Sequence, residues 1–233
     1  MHATDASTLL DLWERGFDLS PPKRALALLA IAEPDARRDA LNAFSLGQRD
    51  AALLRLRERL FGATLDFVAT CPACAGLVES TLDARALAID AHAPEPQVLA
   101  LDDRSIRFRV PVLGDLLGLP SDPEAARRML VARCLEDGEA DALPEPAIAA
   151  IGFAMSAADP AADIEFALEC PHCGERWQAA FDIATFLWRE IDAWARRTLR
   201  EVHALARAYA WREADVLAMS ATRRQIYLEL SRA

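Results

Sequence analysis

Two Cys-Pro-x-Cys motifs carry the clearest chemistry in this sequence. The first contains Cys71 and Cys74 in CPACAG, and the second contains Cys170 and Cys173 in CPHCGERW. Two cysteines separated by two residues can direct both sulfurs to one metal ion, and they can also form the active dithiol of a disulfide oxidoreductase. The elements around the motifs must decide between these two chemistries.

The two motifs belong to an internal repeat. A shift of 99 positions aligns residues 67–83 (FVATCPACAGLVESTLD) with residues 166–182 (FALECPHCGERWQAAFD). Each copy reads as strand, tight turn and strand, because the apolar period is about two on both sides of the cysteines. Gly174, or Ala75-Gly76 in the first copy, would supply the positive backbone angle or the close approach that the turn needs. We therefore predict two zinc knuckles, each a β-hairpin with two cysteines in its turn.

One knuckle supplies only half of a zinc shell. Zinc in structural sites takes four ligands in a tetrahedron, so two knuckles together complete a site of the zinc-ribbon type. The residues between the knuckles then form a long insertion, which is acceptable because the entropy of loop closure grows only with the logarithm of length. The ligands that we predict for one structural zinc ion are Cys71, Cys74, Cys170 and Cys173.

Other interpretations of the cysteines remain open. A thioredoxin-like dithiol lies at the N-terminus of a helix, whereas LVESTL and ERWQAAF follow these motifs, so redox chemistry is disfavoured. A site that has lost its metal also remains open. His172 is predicted to be a solvent-facing turn residue, not a fifth ligand, and Cys134 is predicted to pack in the core on the apolar stripe of a helix.

The rest of the sequence favours a protein without enzymatic activity. It contains no HExxH, GxSxG, P-loop or GxGxxG motif, and its four histidines do not cluster along the chain. Four cysteines would fill the metal shell, whereas a catalytic zinc keeps an open position. We therefore predict no catalytic residue.

Charge and hydropathy limit the partners. The 233 residues carry a formal net charge of -10, which disfavours nucleic acid and anionic lipid as ligands. The part from Trp188 onward has nine Arg and six acidic residues, a mildly basic balance that we interpret as a solvated helix face. The chain has neither a signal-peptide pattern at its start nor an apolar run of bilayer length, so we expect a soluble cytoplasmic protein with no membrane partner.

The periodicity predicts an α+β protein that is mainly helical, with a small zinc-ribbon-like β unit made from the two knuckles. Ser20-Pro21 is a helix start signal, residues 105–112 (SIRFRVPV) alternate as a strand, and residues 183–209 form one long helix. The predicted segments are an N-terminal helical region (1–62), the first knuckle with its strands (63–112), a helical insertion (113–158), the second knuckle (159–187) and a C-terminal helical tail (188–233).

Several segments together resemble a known family. These are LLDLWERGFDLSPPKRALALLA near the N-terminus, LGQRDAALLRLRERLFG, the paired CPxC knuckles, and REVHALARAYAWREADVLAMSATRRQIYLEL in the tail. As a set they resemble the baseplate hub assembly chaperones of contractile phage tails of the T-even type, with related members in contractile injection systems.

The resemblance implies a non-enzymatic assembly factor, or a minor structural component, of the baseplate hub. Its partners would be baseplate hub or other tail proteins, in the cytoplasm of a bacterial cell or on the particle. The residues in the tail that would form the partner surface are Trp211, Arg223, Arg224 and Tyr227.

Three rival functions are disfavoured. A zinc-ribbon nucleic-acid-binding or regulatory module requires a basic face beside the knuckles, where Glu79, Asp83 and Glu169 lie instead. A DNA-reading helix-turn-helix in the tail is disfavoured by the overall charge. A thiol oxidoreductase would depend on Cys170.

Overall fold

The computed structural model describes residues 5–87, 91–92, 94–101, 104–136 and 143–231. Most of the elements in these ranges are helices, so the prediction of a mainly helical α+β fold is confirmed. The helices are α1 (Ala6–Gly16), α2 (Pro21–Ala32), α3 (Arg38–Asn42), α4 (Leu46–Phe61), α5 (Pro123–Cys134), α6 (Glu145–Ala158), α7 (Ile183–Tyr209), α8 (Glu213–Leu217) and α9 (Ala221–Leu230). The strands are β1 (Thr64–Thr70), β2 (Leu77–Asp83), β3 (Gln97–Leu101), β4 (Arg104–Phe108), β5 (Glu165–Glu169) and β6 (Arg176–Ala180). None of these helices combines the length and the apolar character needed to cross a membrane.

The strands form three separate antiparallel pairs, β1 with β2, β3 with β4 and β5 with β6. The predicted strand at 105–112 is shorter than expected, because β4 ends at Phe108. From there the chain turns to other partners: the backbone N–H of Arg109 donates to the carbonyl of Cys134, and Pro111 has no N–H to offer a ladder. The partner strand β3 was not predicted from the sequence.

The chain divides into two compact units. The first contains residues 1–27 and 184–233, and the second contains residues 28–183. These boundaries differ from the predicted segments, since the N-terminal helical region is divided after Ala27. Both CPxC motifs lie in the second unit.

In the first unit, α7 is the longest helix of the described chain, and its predicted range is confirmed. The indole Nε1 of Trp13 donates to Asp192 at 2.8 Å, and the guanidinium of Arg24 lies 4.4 Å from the ring centre of Trp188. Towards the C-terminus, Val202 and Leu205 form a buried cluster with residues of α8 and α9. Ser220 caps α9 by accepting from the backbone N–H of Arg223.

In the second unit, α4 begins with a capping box. Ser45 accepts from the N–H of Gln48, and the side chain of Gln48 accepts from the N–H of Ser45. Along α4 one apolar face is buried, with Leu53 and Leu56 at most 1% exposed. A box of this kind fixes where the helix starts, and the buried face then sets its rotation about its own axis.

A second cluster of buried side chains joins β4 to α5 and α6. Its buried members are Ile106, Phe108, Val131, Cys134, Ile148, Ile151 and Met155. The prediction that Cys134 is a core residue is confirmed, because the residue is 0% exposed. Burial and the nearby carboxylate of Asp115 raise the pKa of the Cys134 thiol to about 12, so it stays protonated and unreactive at neutral pH.

An arginine and carboxylate network closes the edge of this cluster. Arg109 binds Asp115 through two hydrogen bonds of 2.6 and 2.9 Å, and it also donates to the carbonyl of Arg133. Asp115 accepts in addition from the backbone N–H of Val112 at 2.8 Å. The pKa of Asp115 is lowered: burial opposes the shift, but these donors outweigh it. The network therefore holds the turn after β4 in place.

Candidate metal centre

Each CPxC motif lies in the turn of a hairpin, as predicted. In the first knuckle, the N–H of Cys71 donates to the carbonyl of Gly76 at 2.9 Å, and the N–H of Ala75 donates to the carbonyl of Cys71 at 3.0 Å. The equivalent two bonds of the second knuckle, shifted by 99 positions, measure 2.8 and 2.9 Å. The strand registers also match, since Thr70 faces Leu77 and, one repeat later, Glu169 faces Arg176. The repeat in sequence is thus a repeat in structure.

The turn requires one residue in the left-handed backbone region. This residue is Gly174 in the second knuckle, with φ 77°, and Ala75 in the first, with φ 56°. Gly76 is favoured for a different reason, the close approach of His172: a Cβ at position 76 would lie 2.9 Å from Cδ2 of that residue. His172 is exposed, as predicted, and its ring lies against the other knuckle.

The fold brings the four predicted cysteines together. Their sulfurs all lie within 4.8 Å of one another, at 3.7 Å between Cys71 and Cys173 and 3.6 Å between Cys74 and Cys170. None of them is in a disulfide. Four sulfurs at about 2.3 Å from a tetrahedral zinc ion are separated by about 3.8 Å, so the cluster has the dimensions of a metal shell. These four cysteines could hold one metal ion.

Aromatic packing holds the two hairpins against each other. The rings of Phe67 and Phe166 stack with their centres 5.0 Å apart, and Phe166 also contacts Phe181 at 4.9 Å. Phe67 and Phe166 occupy equivalent positions of the repeat, so the two hairpins contact each other through the same residue. Val78 forms a buried cluster with Cys71 and Cys170, and Trp177 packs against this cluster.

Burial separates the four sulfurs into two kinds. Cys71 and Cys170 are 1% exposed, whereas Cys74 and Cys173 are exposed. Each of the two close pairs across the knuckles combines one buried and one exposed cysteine. A metal ion held by this set would therefore lie with one side towards the hairpins and the other towards solvent.

The thiols of the cluster also influence one another's protonation. Burial alone would raise the pKa of Cys170, but the backbone N–H groups of His172 and Cys173 and the neighbouring thiols lower it to about 6. For Cys173 the N–H of Glu175 acts to lower the pKa, yet the surrounding thiols and burial raise it to about 12. The backbone is therefore arranged to stabilise a thiolate on a buried sulfur, which is the form that binds metal.

The proposed partner residues of the tail lie mostly within packing contacts. Trp211 stacks on Tyr209 at 4.6 Å and meets the ring of Tyr227 edge-on at 4.8 Å. Arg224 is 5% exposed and forms an ion pair with Glu201 at 3.0 Å. Arg223 is exposed. A partner role for these four residues stays a prediction.

A buried acidic contact near the start of α4 was missed. Asp159 is 4% exposed, and its carboxylate accepts from the backbone N–H of Gly47 at 2.9 Å. Close by, Asp50 binds Arg49 through both oxygens, and burial raises the pKa of Asp50 despite that pairing. No short-range pattern in the sequence links positions 47 and 159.

Comparison with known proteins gives no match: no family model fits the chain, and no curated protein or solved structure is significantly similar to it.

The left-handed turn position leads to a test of the repeat. Gly174→Ala is expected to lower the free energy of unfolding by about 1 kcal/mol, because an L side chain in this region is strained. The metal content should not change, since Ala75 shows that the same turn accepts alanine. Urea denaturation measures the first effect and elemental analysis the second.

The matched control is Ala75→Gly, which removes a strained side chain and should leave the stability equal or higher. Equal stability of Gly174→Ala and the parent protein would contradict the strain argued for this position, and loss of metal from the variant would contradict the equivalence of the two turns.

Proposed function

We propose that the four cysteines hold one structural zinc ion that joins the two hairpins. Soft thiolate ligands in a tetrahedral arrangement are typical of zinc sites, and four of them leave no open coordination position. Zinc binding would then stabilise the folded state, because the ligands lie in segments that are 99 positions apart in the unfolded chain. The sulfur spacing of 3.6 to 3.7 Å carries this part of the proposal.

We further propose that the chain is a non-enzymatic assembly factor, or a minor structural component, of the baseplate hub of a contractile phage tail or injection system. The resemblance of its N-terminal, knuckle and tail segments to the baseplate hub assembly chaperones supports the role in the baseplate. The cysteine cluster supports a protein without catalysis, since the chemistry it favours is a filled metal shell. The zinc ion would hold the two hairpins together, and partner proteins would bind to the helical surfaces.

The alternative of a zinc-ribbon nucleic-acid module is disfavoured by charge at the hairpins. Residues 64–83 and 165–180 contain a single arginine, Arg176, and its partner is Glu169. The acidic residues of these segments are all exposed: Asp66, Glu79, Asp83, Glu165, Glu169 and Glu175. A phosphate backbone would be repelled by such a surface.

An oxidoreductase is disfavoured by the placement of the motifs. Both CPxC turns lead into strands, β2 and β6, so no helix begins at the cysteines to lower a thiol pKa through its dipole. Reduction of insulin disulfides by the protein, abolished in Cys170→Ser, would be the result that favours this class instead.

Deletion of the gene from its phage or injection-system cluster tests the proposed role. We expect particles without a complete baseplate in negative-stain electron micrographs, and restoration by the wild-type gene supplied in trans. Normal particles from the deletion strain, or a gene neighbourhood without sheath, tube and baseplate genes, would refute the assembly role. An electrophoretic shift of DNA that weakens with salt would favour the nucleic-acid alternative.

A further inference from the structure

One face of α7 carries a straight row of arginines. With about 100° of rotation per residue, Arg189, Arg196, Arg200 and Arg207 lie within about 40° of one another around the helix. All four are exposed. We call this set the arginine stripe. It runs along five turns, about 27 Å at about 1.5 Å per residue.

Most of the positive charge in the arginine stripe is unpaired. Among the described residues, Arg189, Arg200 and Arg207 have no ion-pair partner, and only Arg196 binds a carboxylate, that of Asp192 at 2.9 Å. Asp192 also accepts from the indole of Trp13. The first unit therefore holds three free guanidinium groups in line on one helix.

The other acidic residues of α7, Glu190 and Glu201, form no ion pair with the stripe among the described residues. Glu201 binds the buried Arg224 at 3.0 Å, so its carboxylate is already engaged. Glu190 is rotated by about 100° from Arg189 around the helix axis. Like charges that recur every one or two turns repel one another, and a partner with carboxylates would relieve this repulsion.

We propose that the arginine stripe binds an acidic helical segment of a partner protein. Successive arginines are separated by seven, four and seven positions, which is the spacing of one face of a helix. That order is the same in both directions, so carboxylates with this spacing on a parallel or an antiparallel helix would meet the stripe. A guanidinium can bind a carboxylate through two parallel hydrogen bonds, which favours acidic side chains over other ligands. The inference rests on the proposed function in one respect, that the chain acts by binding proteins.

Other occupants fit the charges less well. A nucleic acid would be repelled by a chain whose formal net charge is -10. A symmetric dimer through this face would place arginine against arginine, because the same patch meets itself across a two-fold axis. An acidic helical segment is repelled less by that net charge, because its few carboxylates can each lie against a guanidinium, and a segment of a different protein does not place arginine against arginine.

The first experiment uses a labelled alanine-rich peptide of about 22 residues, long enough to form a helix, with glutamates spaced by seven, four and seven residues. Fluorescence anisotropy at low salt measures its affinity for the full-length protein. We expect the triple variant Arg189→Gln, Arg200→Gln, Arg207→Gln to bind about tenfold more weakly, since each exposed ion pair contributes a factor of about two to three. A peptide with glutamine at the same four positions should not bind.

The matched control is Arg37→Gln, Arg38→Gln, Arg212→Gln. It makes the same change of charge at three arginines that are exposed and have no ion-pair partner among the described residues. Circular dichroism and zinc content confirm that both variants are folded. The control should keep the wild-type affinity, and an equal loss in both variants would show that only net charge matters and would overturn the proposal.

Three further outcomes would also overturn it: no binding of the glutamate peptide by the wild-type protein, a stripe-dependent affinity for duplex DNA that exceeds the affinity for the peptide, or stripe-dependent self-association in sedimentation velocity. Failure of the baseplate role would appear separately. In that case the deletion strain makes normal particles while the peptide still binds.

Discussion

Cys71→Ser is expected to abolish zinc binding and to uncouple the two hairpins. Cys71 is 1% exposed and its sulfur lies 3.7 Å from that of Cys173, so its loss removes a ligand from the buried side of the shell. A bound ion at a thousandfold excess over its Kd stabilises the folded state by about 4 kcal/mol, and this contribution would disappear. Elemental analysis should find close to one zinc per chain in the wild type and close to none in the variant.

The consequences should be local in structure. Hydrogen exchange should accelerate in residues 64–83 and 165–180, which form the hairpins, while helical circular dichroism is largely retained. The helices have buried clusters of their own, such as the one around Val202 and Leu205, and these contain none of the four ligands. Zinc chelation of the wild-type protein should reproduce the exchange pattern of Cys71→Ser.

Cys134→Ala provides the matched control, because Cys134 is the one cysteine outside the cluster. It should lose some stability through the small cavity that it creates, and it should keep its zinc. Full zinc content in Cys71→Ser would refute the assignment of the ligands. So would a wild-type preparation with four free thiols, no metal and a denaturation midpoint that chelator does not change.

The two knuckles were predictable because the sequence signals for each hairpin lie close together in the chain and occur twice. Strand, turn and strand are encoded within about 17 consecutive residues, and the second copy confirms which positions matter. Two further features follow from short-range signals in the same way: the long helix α7 from its apolar stripe, and the start of α9 from Ser220. The meeting of the four cysteines was predicted only through the zinc hypothesis, on which one knuckle supplies half of a four-ligand shell.

Contacts between distant positions were not predictable from one sequence. The strand β3 is a short apolar run, QVLAL, which periodicity alone does not distinguish from part of a helix. The family resemblance places Arg224 on a partner surface, but the residue is buried, and its ion-pair partner Glu201 lies on another helix. In both cases the residues' own local sequence leaves the outcome open, and a contact decides it: the pairing of β3 with β4, and the ion pair of Arg224 with Glu201.

The contact between Gly47 and Asp159 also joins positions that are distant in sequence. Substitution of Gly47 should have a large effect on stability. Gly47 lies in the first turn of α4, and a Cβ at this position would lie 2.0 Å from Oδ1 of Asp159 and 2.9 Å from Cβ of Ala161. Gly47→Ala must therefore displace a buried carboxylate that accepts from the N–H of Gly47 itself. We expect it to lower the free energy of unfolding by about 3 kcal/mol or more, from overpacking together with a carboxylate that loses its donor.

A glycine-to-alanine substitution in α6 should change the free energy of unfolding in the opposite direction. At Gly152 no atom lies within 4 Å of the position that a Cβ would occupy, so alanine there is free of collision. Gly152→Ala should stabilise the protein by about 0.5 to 1 kcal/mol, because alanine loses less backbone entropy than glycine in a helix. Urea denaturation of both variants, at constant zinc, compares the two helices directly.

A double-mutant cycle tests whether the collision with Asp159 is the cause. Asp159→Ala alone should destabilise α4, since the N–H of Gly47 loses its acceptor near the helix start. In that background Gly47→Ala should have a much smaller effect than in the wild type, because the carboxylate that a new Cβ would meet is gone. An equal effect in both backgrounds would show that Ala161 or the backbone, not the carboxylate, excludes a side chain at position 47.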